Sequence, residues 1–131
     1  MTSRVLFISG RQEDARSLSQ MLHSLPVKLE HVESLRQART RLHRLDYQVI
    51  LTEADLPDGK WLDVLRLARE CPRETEVIVT DRQADGRFWA EALNLGAYDL
   101  LAQPFYEPEV RRILYNACSR PQSLVQRAAT S

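Results

Sequence analysis

The stretch that most constrains this chain is Tyr47 to Gly59, YQVILTEADLPDG. Val49, Ile50 and Leu51 are apolar without interruption, the pattern of a strand covered on both faces. The run passes into Thr52, Glu53, Ala54 and Asp55, so two carboxylates stand at or just past the strand's C-terminal end. Leu56-Pro57-Asp58-Gly59 follows as a turn: Pro presets one backbone angle and Gly accepts a positive φ. In an open parallel sheet, ligands and chemistry collect at the carboxyl ends of the strands. Two readings of the acids stand side by side: a functional acidic site, or a solvated loop whose acids cap a helix.

The same pattern recurs along the chain. Val5 to Ile8 is an apolar run closed by Ser9-Gly10, and Glu13 and Asp14 suit the start of a helix, where the macrodipole favours negative charge. Leu18, Met21, Leu22 and Leu25 recur at helical spacing before Pro26 stops the helix. Val27 to Val32 alternates and reads as an edge strand. Ser34 with Gln37 has the form of a capping box, and Leu35, Ala38, Leu42 and Leu45 give the next helix its apolar stripe. Arg36, Arg39, Arg41 and Arg44 occupy the other side, which reads as a solvated face or as a basic patch for a partner, without the aromatic interleaving of nucleic-acid surfaces. Trp61, Leu62, Leu65 and Ala68 mark a helix over Trp61–Glu70. Val77-Ile78-Val79 is a fourth run, ending in Thr80-Asp81. Phe88, Ala92 and Leu95 mark a helix with Gly96 as its C-cap. Tyr98 to Ala102 is a fifth strand, broken by Gln103-Pro104-Phe105, and Val110, Ile113, Leu114 and Ala117 line the inward face of a last helix.

Five strands alternating with five helices imply right-handed crossovers and a doubly wound α/β fold, a parallel sheet with helices on both faces. The ends Ser9-Gly10, Thr52-Glu53 and Thr80-Asp81 should then converge, with Gln103 joining them. Composition narrows the function. The 131 residues fit one domain, and Lys plus Arg equals Asp plus Glu at 18 each, which gives no global bias toward nucleic acid or an anionic membrane. Cys71 and Cys118 have no metal-ligand or disulfide spacing and fit a reducing compartment. No stretch approaches the ~20 apolar residues of a membrane span, and the N-terminus lacks a signal peptide's apolar core. The expectation is a cytoplasmic protein without nucleic-acid or membrane partners. His23, His31 and His43 fall on patterns away from the expected strand ends, and neither G-x-G-x-x-G nor a P-loop is present, which argues against a small nucleotide-binding enzyme.

Taken together and in order, ILTEADLPDG, the strand ending VIVT, and GAYDLLAQPF resemble the receiver domain of two-component response regulators, over roughly residues 3 to 118. The resemblance implies a flavodoxin-like sheet of order 2-1-3-4-5, a receiver-like domain over residues 1–120 and a tail over 121–131 whose composition reads as disordered. It also implies a site: an acidic pair holding Mg²⁺, an Asp taking a phosphoryl group from a histidine kinase, a Ser or Thr that follows the phosphate, and a Lys before Pro that pairs with it. Of these residues only the Thr is present, as Thr80. The acidic pair falls on Ser9 and Gly10, the phosphoacceptor on Glu53, the Lys on Gln103 and an aromatic switch position on Leu100.

Each departure has a physical consequence. Mg²⁺ wants hard, usually anionic oxygens, so metal affinity should be weak or lost with Glu53, Asp55 and Asp58 as the nearby acids. Without metal and Lys, nothing neutralises the oxygens of a transferring phosphoryl group. The expectation is a non-enzymatic pseudo-receiver, not phosphorylated, with no catalytic or metal residues and no cofactor. It would act through a protein partner, a histidine kinase, or a homodimer formed by the fourth helix, fifth strand and fifth helix, near Trp89, Tyr98 and Leu100. The alternative is a phosphorylatable receiver that uses the residual acids with weakly bound Mg²⁺. Glu53 reads either as a phosphate mimic or as tolerated drift, and Ser9-Gly10 as a lost metal site or a tight turn. The Gln103–Pro104 bond is expected to be cis, aiming the Gln103 amide at the Glu53 carboxylate.

Overall fold

The uninterrupted apolar runs fall at the centre of a parallel sheet and divide their side chains between two cores. The structure, a computed structural model, describes residues 2–83 and 85–119. The expected tail, 121–131, lies outside the described residues. Seven strands, β1 (Ser3–Ile8), β2 (Val27–Val32), β3 (Val49–Glu53), β4 (Asp55–Leu56), β5 (Gly59–Lys60), β6 (Glu76–Asp81) and β7 (Asp99–Ala102), alternate with five helices, α1 (Gln12–Met21), α2 (Leu35–Arg44), α3 (Trp61–Glu70), α4 (Gly86–Leu95) and α5 (Glu107–Ser119). The main sheet has five strands in the order β2-β1-β3-β6-β7, all parallel. This is the expected 2-1-3-4-5 order, since β4 and β5 form only a short hairpin after β3.

The period-2 geometry of a strand sends neighbouring residues to opposite faces. Leu6, Ile8, Ile50, Val77, Val79 and Leu100 pack in one core, with the inward faces of α2, α3 and α4. Val5, Phe7, Val49, Leu51, Ile78 and Leu101 pack in the other, with those of α1 and α5. Each fully buried Val, Leu, Ile or Phe side chain contributes roughly 1.5–3 kcal/mol relative to exposure, so a polar residue on either face is costly. The edge strand β2 is only half covered, and its one fully buried side chain is Val32.

Local chemistry sets the helix ends. Ser34 caps α2, its hydroxyl oxygen accepting from Gln37 N at 3.2 Å, while Gln37 reaches back to Glu33 N at 2.7 Å. Asp85 caps α4, accepting from Phe88 N at 2.9 Å. Gly96 ends α4 with φ +119°, a left-handed conformation that favours glycine, and a Cβ there would also lie 2.6 Å from the Arg69 guanidinium. Three expected stripe positions fail. Leu45, Leu62 and Leu95 are exposed, and Val64 and Leu67 take the buried positions on α3. On short helices against a twisted sheet only part of an apolar stripe reaches the core, so spacing alone over-assigns it. Tyr98 stands just outside β7, although its N–H still bonds Val77 O at 2.7 Å.

At the edge of the sheet, Glu30 of β2 gathers charge. The Tyr47 hydroxyl donates to it at 2.6 Å, Arg41 at 2.8 Å and Arg4 at 3.2 Å, with Lys28 Nζ at 3.9 Å. Burial is the strongest single influence on the Glu30 carboxyl and pushes its pKa up. The Tyr47 hydrogen bond and the charges of Arg41, Lys28 and Arg4 together outweigh it, and the net shift is downward. A carboxylate with a depressed folded pKa stabilises the fold above its unfolded pKa and loses that contribution as pH falls through the folded value. Glu30→Gln is therefore expected to lower stability at pH 7 by about 1–3 kcal/mol, with the difference from the parent shrinking toward pH 3. Urea melts of both forms at the two pH values check this. A difference that persists at low pH would show that packing, not charge, is responsible.

Candidate signalling cleft

Parallel strands in register bring their carboxyl ends to one edge of the sheet. Thr80 pairs with Glu53 on one side and with Leu101 on the other, so the β3 and β6 termini abut. The loop after β3 is pinned over them: Ala54 N donates to Thr80 O at 3.0 Å, and Trp61 N to Ala54 O at 3.0 Å. The result is a cleft of about 230 Å³ whose walls include Glu53, Asp55, Thr80, Arg82 and Gln103, with Arg11 at its rim. The convergence expected from the sequence is present for Glu53, Thr80 and Gln103.

Ser9 does not line the cleft. It is fully buried, and its hydroxyl oxygen accepts from Arg11 N at 3.0 Å, closing a tight turn between β1 and α1. Gly10 borders a separate depression, with Arg11, Gln12, Glu13 and Arg16. His31 is nearer this end than the sequence suggested. Its Nε2 lies 2.7 Å from the Ser9 carbonyl, an acceptor, so the nitrogen carries the proton, and its ring packs on Phe7 at 5.7 Å. Parallel pairing of Phe7 with His31 brings the imidazole there, a contact set by register rather than by local sequence.

Thr80 is fully buried and donates its hydroxyl to Leu101 O at 2.8 Å. The Gln103–Pro104 bond is cis, as expected. The expected bond from Gln103 to Glu53 is not formed. Gln103 Oε1 instead accepts from Arg82 Nε at 2.7 Å, and its Nε2 is buried without a protein partner. Arg82 has only donors, so it orients the amide with its oxygen toward the guanidinium. Arg82 also reaches Asp14 of α1 at 3.3 Å, which puts a cation at this mouth that a motif-based reading misses. It lies outside the family-like motifs, so only the folded loop reveals it.

Asp58 turns away from the cleft. Its two carboxylate oxygens accept from Leu35 N at 2.8 Å and Arg36 N at 3.0 Å, across to the first turn of α2. The Leu35 N–H is the main cause of a lowered Asp58 pKa, partly opposed by burial and reinforced by the Arg36 N–H. The helix-capping reading thus describes Asp58, while Glu53 and Asp55 remain at the cleft. Gly59 beside it is packed so closely that a Cβ would meet Asp63 and Leu35 side-chain atoms at 2.9 Å. Leu100 is buried against the α2–α4 core and is no part of a surface, because it alternates inward from β7.

The fold and this arrangement of strand ends define a receiver-type module. The chain matches the response regulator receiver domain family over residues 5–115 and belongs to that family. It is 27% identical over 129 residues to the cell cycle response regulator CtrA of Brucella ovis, covering 98% of this chain and 55% of that protein. The chain thus spans about half the length of these curated relatives. Among solved structures, it resembles the signal receiver domain of the protein described as a Luxo repressor from Vibrio parahaemolyticus, with TM-score 0.87 and 23% identity over 98% of each chain. It also resembles the beryllofluoride-activated NtrC4 receiver domain dimer, with TM-score 0.80 and 24% identity over 88% of this chain and 95% of that one. At these identities the two structures speak for the fold.

The family implies Mg²⁺ at this cleft, and the residues present do not fit it. A small hard cation needs several charged oxygens in octahedral geometry. At the positions that the resemblance assigns to the acidic pair, this chain has a buried Ser hydroxyl committed to a turn and a glycine. Among the described residues, no group of three or more His, Cys, Asp or Glu side chains is arranged to hold a metal ion. Two outcomes follow. Millimolar Mg²⁺ is expected to leave the melting temperature unchanged, because only a ligand near or above its dissociation constant stabilises by mass action; a clear rise in a thermal melt would refute the misfit. Asp58→Ala is expected to lower stability by about 1 kcal/mol in urea titration through loss of its two bonds to α2, and an unchanged midpoint would show those bonds to be energetically silent.

Proposed function

We propose that this chain is an atypical receiver module that signals through protein contacts and is not itself phosphorylated. The observation that carries the reading is the chemistry of the cleft: receiver geometry is kept, while Ser9 and Gly10 stand for the acidic pair, Glu53 for the acceptor and an uncharged Gln103 for the lysine. Phosphoryl transfer is almost wholly positioning and charge neutralisation, and these residues remove both the metal site and the ammonium. The module would work in the cytoplasm without catalytic turnover. Among the described residues, no helix is long and apolar enough to cross a membrane.

The output we assign is the face of α4, β7 and α5. Trp89, Leu93 and Leu95 of α4 and Tyr106 and Tyr115 near and on α5 are exposed on these elements, and aromatic side chains of this kind anchor protein interfaces. A homodimer or a protein partner, such as a histidine kinase, would use it. The NtrC4 receiver resembling this chain was solved as a dimer. Glu53, half-buried at the cleft, is the candidate for a fixed negative charge in place of a phosphoryl group.

Acetyl phosphate with Mg²⁺ tests the reading. No phosphoryl adduct is expected by intact-mass analysis, and an adduct on Glu53 or Asp55 would establish the alternative, a receiver using its residual acids. Glu53→Gln keeps side-chain length and removes the charge. Self-association or partner affinity, measured by light scattering and calorimetry, is expected to change several-fold if Glu53 stands in for phosphate. Equal values in both forms would leave Glu53 as drift in an interaction scaffold.

A further inference from the structure

The residues just after β6 are shaped by a side chain of their own segment. Asp81 Oδ1 accepts from Gln83 N at 3.3 Å, a local turn that presents Arg82 outward across the mouth of the cleft. From there Arg82 makes two attachments. Its Nε donates to Gln103 Oε1 at 2.7 Å, on the loop between β7 and α5. Its terminal nitrogen lies 3.3 and 3.4 Å from the two Asp14 oxygens, on the first turn of α1. Asp14 is largely shielded, with only 15% of its side chain exposed. Three segments that are distant in sequence thus meet at one guanidinium.

Both far ends of this bridge are themselves held. Asp14 belongs to the first turn of α1, whose inner face packs in the core through Leu18. The Gln103 loop is anchored by Phe105, edge-on to Phe7 at 6.5 Å, and by Glu109 Oε1, which accepts from Ala102 N at 3.4 Å. The near end is held by fewer contacts: in α4 only Ala92 is buried, Phe88 is half-buried edge-on to Trp61 at 6.3 Å, and Asp85 caps the helix. Arg82 and Gln103 also form the shared wall between the cleft and a second depression, of about 430 Å³, bordered by Met21, Pro104 and Phe105.

We propose that Arg82 is a positioning residue: an internal cation that braces the entry to α4 against α1 and the β7–α5 loop across the cleft. The brace makes the setting of α4 depend on a side-chain bridge within the chain. The planar fork of arginine suits this task, since one guanidinium serves an amide oxygen and a carboxylate in a fixed geometry. It deepens the proposed function and rests on that reading's assignment of the α4 face as the output. Loosening the bridge frees α4 from its start while leaving both cores intact.

Amide hydrogen exchange on the full chain tests it, in the parent, Arg82→Ala, Arg82→Lys, Asp14→Asn and the Asp14→Asn/Arg82→Ala double variant. In Arg82→Ala, exchange at the Phe88 and Trp89 amides is expected to quicken by about two- to fivefold, the range an exposed ion pair with a charge-assisted hydrogen bond supports. The β1 amides should not change. Arg82→Lys, with charge but no fork, should fall between. The double variant should match Arg82→Ala, because Asp14 acts through Arg82. Unchanged exchange at Phe88 and Trp89, an equal acceleration throughout the chain, or additive effects of the two substitutions would each overturn the brace. Phosphoryl uptake from acetyl phosphate is a separate readout: a positive result there overturns the proposed function and leaves the exchange result standing for the brace.

Discussion

Burial of β3 on both faces is the constraint on which the remaining structure depends. Val49, Ile50 and Leu51 are fully buried and send side chains into both cores. Parallel pairing with β1 and β6 then fixes where each strand stops, because a slip of one residue would exchange the two faces and place every side chain in the wrong core. The cleft is a consequence of that register. Glu53 and Thr80 stand opposite each other because Ile50 and Val77 do.

The acids of the β3–α3 segment show how one local sequence is divided by the fold. Glu53 ends the strand and faces the cleft, and Asp55 follows in the short hairpin beside it. Asp58, three residues on, is drawn to α2 by two unsatisfied backbone N–H groups. Gly59 is packed against Leu35 and Asp63, so the hairpin also docks α2 on α3. The segment that resembles a receiver most closely is therefore divided between the cleft and the capping of α2.

At the mouth of the cleft, charge is paired within the chain. Ser9, Gly10 and Gln103, which the resemblance equates with the family's carboxylates and ammonium, carry no charge, while Arg82 follows β6 and bonds Gln103 and Asp14. A mobile metal and a transferable group are the means by which such a site would be switched. On the proposed reading, side chains of the chain itself take their place and the charge of the site is fixed.

The sequence by itself determined the alternation of strands and helices, the caps at Ser34 and Gly96, the residues that meet at the strand ends and the family. Those are written in short-range patterns: uninterrupted apolar runs, helical spacing, turn residues and motif order. Tertiary structure decided what depends on register and on contacts between distant segments. It turned Leu45, Leu62 and Leu95 outward and Leu100 inward, set His31 on the Ser9 carbonyl, sent Asp58 to α2 and gave Gln103 to Arg82 instead of Glu53. Local patterns cannot reach such pairs, because a hydrogen bond between residues twenty or more positions apart exists only once the chain has paid the entropy of bringing them together.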